Sequence, residues 1–197
     1  MYKYKKKISI NNIFGVLHGY SLKYKTNHVG YLPRIRGRCG FKNKGYCSIG
    51  NNVSIRADPY PVSIVIFENA KLIIGDNVYI NFGVDIGCTK HVKIGDNVLI
   101  GSFVNIIDNA FHYVDIDTPN IGKDVIISDN VWIANHCIIL PGVTIGKNSV
   151  VAAGSVVTTN IPENVLVAGN PAVVKKVLNI PEGWDRKSNK ETLKLEF

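Results

Sequence analysis

The sequence predicts an all-β solenoid, a single chain wound into a stacked triangular coil. Three observations predict it. Aliphatic side chains recur at every sixth position, a second small or β-branched side chain follows many of them by four, and glycine or asparagine falls where such a chain must bend. Six is neither the 3.6-residue period of a helix nor the two-residue alternation of a flat strand. It suits a short strand and a corner, repeated, with three sides closing one turn.

Residues 1–48 stand outside this rhythm. Ile13, Phe14, Val16, Leu17 and Tyr20 suggest a short helix, and the Gly/Arg/Cys-rich stretch after them reads as irregular chain leading into the coil. The coil is expected over residues 49–178. Its longest register is Ile127, Ile133, Ile139, Ile145, Val151 and Val157; shorter ones are Ile94, Ile100 and Ile106, then Ile74, Ile80 and Ile86, then Ile49 and Ile55. These anchors should point inward and stack. Their companions four residues on are Val53, Val78, Val84, Val98, Val104, Val125, Val131, Cys137, Val143, Ser149 and Ser155. Gly50, Gly75, Gly87, Gly95, Gly101, Gly122 and Gly146 each follow an anchor directly, and Asn52, Asn77, Asn97, Asn130 and Asn148 lie three beyond one. Both residue types tolerate the positive φ that a tight corner demands. Residues 179–197 form a short polar C-terminal tail with room for a helix.

Composition narrows the classes further. A chain of 197 residues with 46% hydrophobic and 19% charged residues fits one globular domain with tails. Four cysteines, Cys39, Cys47, Cys88 and Cys137, show no C-x-x-C pair or zinc-like spacing, so reduced thiols and no metal are expected. Lys3, Lys5, Lys6 and Lys7 carry four of the net +8, leaving a mildly basic remainder of +4 and no case for nucleic acid. That Lys run reads as a solvated tail, with weak contact to an anionic membrane surface as the most it would make. The start has the positive end of a signal peptide, but Asn11, Asn12 and His18 break its apolar stretch and no small-residue cleavage site follows. A cytoplasmic protein is therefore expected.

Function is expected where the period breaks, because insertions in a solenoid often form its binding face. From Ile86 to Ile94 the anchors are eight apart, a small bulge; from Ile106 to Ile121 they are fifteen apart. The longer excess is one extended loop, residues 108–120, carrying His112 among Asp108, Asp115 and Asp117. Histidine is the side chain whose proton exchange falls near neutrality, which suits a general base. His18, His28, His91 and His136 read as structural or solvated. Cys137 falls at an inward companion position, so a packed thiol is expected rather than a nucleophile.

The runs IGDNVLIGSFVNI and ISDNVWIANHCIILPGVTIGKNSVVAAGSVVTTNIP, with the later AGNPA, resemble the hexapeptide-repeat acyltransferases over about residues 49–178. The resemblance is narrower to the galactoside and maltose acetyltransferase branch and to the O-acetyltransferases that decorate capsule and O-antigen sugars. It implies a left-handed parallel β-helix, against the general right-handed rule for parallel crossovers. It also implies acetyl-CoA as acyl donor, no metal, and a homotrimer whose active sites lie between subunits. Outward apolar residues such as Trp132, Ile138 and Leu140 are compatible with such packing. His112 is then the catalytic base and Asn81 helps hold the reaction centre. The backbone N–H of Asn135 is the oxyanion donor. Asn81, Asp85 and Asp108 are the expected acceptor contacts. Ala134, Asn135, Ala152, Ala153, Gly154, Ser155, Asn170 and Pro171 are the expected coenzyme A contacts, with Lys175 and Lys176 on its phosphates. Two departures stand out: Ala134-Asn135 replaces the family's Gly-Ser or Gly-Ala, and Tyr113 follows the histidine where proline is common. A carbonic-anhydrase relative of the same fold would need further imidazoles near His112, and Asp117 stands at such a position.

The implied activity is acetyl transfer from acetyl-CoA to a sugar hydroxyl, on a small-molecule or glycan acceptor. N-acetylation of an amino sugar or nucleotide sugar, and a non-catalytic scaffold, are the alternatives.

Overall fold

A computed structural model describes residues 10–113, 116–117 and 120–186, with the side chains of 10–12 left aside. The expected roles of the N-terminal Lys run, of Asp115 and of residues 187–197 lie outside the described residues. The chain is a left-handed parallel β-helix of about seven turns. Three faces make a triangular prism. The first stacks His28–Val29, Tyr46–Ile49, Lys71–Ile74, His91–Ile94, Val125–Ile127 and Thr144–Ile145, all in parallel. The second is led by Tyr79–Ile80, Leu99–Ile100, Trp132–Ile133, Val150–Val151 and Val165–Ala168. The third contains Asp85–Cys88, Asn105–Ile107, Ile138–Ile139 and Val156–Val157. In the two earliest coils the long strands Arg34–Asn43 and Ser54–Ile66 run across the second and third faces, with a register shift between Gly37 and Cys39 where they turn the corner. An antiparallel strand, Val173–Val177, ends the second face.

The core is the predicted one. Every anchor named above except Ile121 has at most 1% of its surface exposed, and so has every companion. Burial of each Ile or Val is worth about 1.5–3 kcal/mol of gross transfer energy, opposed by the entropy of ordering the chain. The two polar companions are satisfied: Ser149 Oγ donates to the Pro162 carbonyl at 2.7 Å and Ser155 Oγ to that of Ala152 at 2.6 Å.

The corner asparagines behave as expected. Asn52, Asn77, Asn97, Asn130 and Asn148 all have φ between 56° and 64°. Their amides form ladders along the prism edge, Asn52 to Asn77 to Asn97 and Asn130 to Asn148 to Asn164, at 2.7–3.0 Å. The C-terminal segment fastens to this edge: Arg186 donates from its backbone N–H to Asn130 Oδ1 and from its guanidinium to the carbonyls of Asn130 and Asn148.

Three expectations are corrected. The glycines after the anchors are not at positive φ. At Gly75 a Cβ would lie 2.3 Å from Asp96 Oδ1 and 2.8 Å from the backbone of the next coil, so close stacking excludes a side chain there. The coil begins at His28 rather than at residue 49, because Ile35, Phe41 and Cys47 already fill core positions. Its helix is present as α1 (Ile10–Tyr20). Finally, Ile121 is 64% exposed and anchors nothing; the repeat resumes at Val125.

Candidate active site

The two breaks in the repeat are one structure. Asp108 is fully buried at the start of the loop, and its carboxylate accepts from the backbone N–H groups of Thr89, Lys90 and His91 and from Thr89 Oγ1, at 2.7–3.0 Å. A tight bulge leaves successive N–H groups without strand partners, and a carboxylate is the acceptor that can take several at once. Lys123 N–H donates to the Asp108 carbonyl at 2.7 Å, which closes the loop's base. On the far side Asp124 pairs with Lys90 Nζ at 2.8 Å and lies 3.3 Å from His91 Nδ1. The Lys90 and His91 groups hold the Asp124 carboxyl below its ordinary range. The small bulge is thus the socket of the large loop, a role that the eight-residue spacing alone did not reveal. Asp108 is spent on this socket, which corrects its expected role as an acceptor contact.

Beyond its base the loop lies against the third face. Gly87 offers no side chain, so the Phe111 ring settles over it and packs on Phe67 with centroids 5.7 Å apart. His112 follows Phe111 directly, is exposed, and among the described residues makes no hydrogen bond or ion pair.

The other candidates gather at the opposite edge of the third face, the corner shared with the second. In successive coils this corner carries Asn81, Gly101, Ala134 and Ala152, each donating its N–H to the carbonyl of the coil above. Asn81 is half-buried, and its Oδ1 accepts from Phe82 N–H at 2.9 Å. Asn135 Oδ1 reaches across to cap Ser102 N–H at 3.0 Å. The coil above has Ala153 at the matching place, with no side-chain acceptor to offer. Among the described residues the Asn135 N–H accordingly has no partner, a consequence of one missing cap. Gly154 has φ +73° and no atom within 4 Å of its would-be Cβ, so the turn Ala152–Ser155 leaves a small-walled, open surface. Ser155 itself is buried, its hydroxyl engaged as described. Asn170 and Pro171 are exposed beyond the last coil, and Lys175 and Lys176 are exposed on Val173–Val177. Asp85 is exposed on the third face between the two edges.

The structure therefore brings Asn81, Asn135 and the Ala152–Ser155 turn together and holds His112 on the other edge of the same face. Burial raises the thiols: Cys47 and Cys88 are pushed up to about 12, Cys39 to about 11, and Cys137 upward as well. Cys137 donates to the Ala152 carbonyl from inside the coil and does not face the corner.

Residues 121–159 match the family of bacterial transferase hexapeptide (six repeats). Among curated relatives, the galactoside O-acetyltransferase of Escherichia coli (strain K12) is 35% identical over 167 residues, 83% of this chain and 79% of its own. The putative lipopolysaccharide biosynthesis O-acetyl transferase WbbJ of the same strain is 34% identical, over 77% of this chain and 83% of its own. Among solved structures, a variant of AntD, an N-acyltransferase from Bacillus cereus in complex with dTDP-4-amino-4,6-dideoxyglucose and coenzyme A, superposes with TM-score 0.69 at 25% identity, covering 83% of this chain and 89% of that one. The chain belongs to the hexapeptide-repeat acyltransferase family.

Proposed function

We propose that this protein is an acetyl-CoA-dependent O-acetyltransferase acting on a sugar hydroxyl, with His112 as general base and direct transfer between two bound substrates. The observation that carries the reading is the Asn135 N–H, without a partner among the described residues, at a corner whose next coil is small-walled and open. Transfer from a thioester needs such a donor for the charge that develops on the carbonyl oxygen. His112 removes the proton of the acceptor hydroxyl as its oxygen bonds to the acyl carbon, and returns that proton to the departing thiolate sulfur. Ala152, Ala153 and Gly154 suit the pantetheine arm because they let it approach the backbone, and Lys175 and Lys176 suit its phosphates. Asn81 orients the acceptor beside the Asn135 N–H.

His112 and Asn135 lie on opposite edges of one face, so the reading requires a second copy. A cyclic trimer, packing the loop edge of each chain on the corner edge of its neighbour, supplies it with one repeated contact. The galactoside and lipopolysaccharide-biosynthesis relatives support a sugar hydroxyl as the acceptor. The amino-sugar ligand of AntD supports an amine acceptor as the second reading. Release of free thiol from acetyl-CoA, followed with simple sugars and amino sugars, separates the two, and a scaffold would release none. His112→Ala should lower turnover by roughly 100- to 10,000-fold; full turnover in that variant would overturn the mechanism.

A further inference from the structure

The corner between the second and third faces also carries a run of aromatic rings that the chemistry above does not use. Tyr60 lies 6.0 Å from Phe82 and 5.1 Å from Phe103 between ring centroids, Phe82 and Phe103 meet edge-on at 5.5 Å, and His136 stacks on Phe103 at 5.0 Å and 14°. Tyr60 is 54% exposed and Phe103 36%, so the rings make a surface rather than a core.

Two of them stand where the backbone least favours them. The position three after an anchor takes left-handed φ, and Asn fills it at 52, 77, 97, 130 and 148, Gly at 83 and 154. Phe103 has φ +57° and His136 φ +59° at that same position. A bulky aromatic residue there is an outlier, and such outliers persist where the side chain has work to do. The neighbouring coil is adapted to it: a Cβ on Gly83 would lie 2.4 Å from the Phe103 ring. The corner could close with Asn, as it does elsewhere, so what is retained is the ring.

The order along this edge gives the surface a direction. Toward the N-terminal end, a cavity of about 440 Å³ between α1 and the first coils is lined by Phe14, His18, Arg36 and Asp58. Tyr60 comes next, then Phe82 beside Asn81, Phe103 one coil on, His136 beside Asn135, and last the open Gly154 turn. The aromatic surface thus flanks Asn81 and the Asn135 N–H and ends before the small-residue turn, so an acceptor lying on it reaches the reaction point from the side opposite that turn.

We infer that Tyr60 and Phe103 form the acceptor platform and take the apolar C–H face of a pyranose ring, with any further sugars running toward the Arg36 and Asp58 cavity. A pyranose offers one face of C–H groups and a rim of hydroxyls. Aromatic rings match the first, and carboxylates and amides the second. Asp58, ion-paired with Arg56 at 3.5 Å, and the exposed Asp85 lie on the neighbouring strands, and Asn81 directly precedes Phe82. A lipid chain or an apolar peptide would leave the two carboxylates facing hydrocarbon. The inference rests on the acyl-transfer reading for what the acceptor is, but not on the role of His112.

Phe103→Asn tests it, because Asn suits the left-handed backbone conformation and fills the same repeat position at five other corners, so the variant should keep the fold. The full chain is mixed with methyl β-galactopyranoside and methyl β-glucopyranoside, its aromatic protons are saturated, and magnetisation reaching the sugar is read by NMR. The expected result is transfer to the ring C–H protons of at least one glycoside in the native protein, and its loss in the variant. For a turned-over sugar, KM should rise roughly ten-fold while KM for acetyl-CoA stays the same. Unaltered acceptor KM and saturation transfer in Phe103→Asn would overturn the platform, as would a fall in assembly mass, which would make the rings a subunit contact. Saturation transfer without turnover would keep the platform and sink the transferase reading; turnover without saturation transfer would do the reverse.

Discussion

Glycine serves two purposes in this chain, and the difference is measurable. At Gly75 the obstacle is contact with the next coil, so Gly75→Ala should cost several kcal/mol, about the range of an overpacked core or more. At Gly154 the surroundings are open and only the left-handed backbone resists, so Gly154→Ala should cost about 1–2 kcal/mol. Chemical denaturation of the two variants checks the order; equal losses would mean that stacking is looser than these coils indicate. From sequence both look alike, because close contact and positive φ both select glycine. The asparagines were legible because positive φ was the only demand placed on them. The thiols give a second residue-scale prediction. With Cys47 and Cys88 pushed up to about 12 and Cys39 to about 11 by burial, almost no thiolate exists at pH 8. The fully buried Cys47 and Cys88 should react with Ellman's reagent only as fast as the protein unfolds, while the half-buried Cys39 reacts slowly for want of thiolate. Rapid labelling of Cys47 or Cys88 would contradict their burial.

At the scale of elements, the loop that delivers His112 is held by its base. Asp108→Ala would strand the N–H groups of Thr89, Lys90 and His91 inside the protein, at roughly 1–3 kcal/mol for each group left unsatisfied. We expect faster amide exchange at those three positions, faster proteolysis within 109–124, and a fall in turnover larger than any change in KM for acetyl-CoA. The Asp124 contacts add a pH dependence with a definite sign. Its carboxyl is held below the ordinary value by Lys90 and His91, so the tether contributes fully above about pH 4 and is lost as pH falls through the lower folded value. Proteolytic sensitivity of the loop should therefore rise as pH falls below about 4 and the Asp124 carboxylate is protonated. The loop's existence was legible as a gap in the six-residue rhythm. Its socket was not, since Asp108 next to a histidine reads as site chemistry until burial shows where its oxygens point. Ile121 misled for a related reason: an aliphatic residue before a glycine fits the repeat by type, and only its exposure reveals that the coil has not yet resumed.

At the scale of the whole molecule, regularity decided what could be read. Coils whose anchors are Ile or Val at strict six-residue spacing were legible from residue 49 onward. The first coils were hidden because Phe41 and Cys47 do the work of Ile, while charged residues crowd the outward positions of Arg34–Asn43. The same regularity separates the proposed catalytic groups. The third face stands between the loop edge that carries His112 and the corner that carries Asn81 and Asn135. If a neighbouring copy completes the site, two separately inactive variants should rescue each other. In a trimer assembled from equal parts of His112→Ala and Asn81→Ala chains, a contact is competent when the loop comes from an Asn81→Ala chain and the corner from a His112→Ala chain. Random mixing makes that true at about one contact in four. Co-assembled protein should regain roughly that fraction of native turnover, while the two variants purified apart and combined without subunit exchange should regain none. A co-assembled preparation no more active than its parents would place the whole reaction within one chain and remove the reason for the assembly.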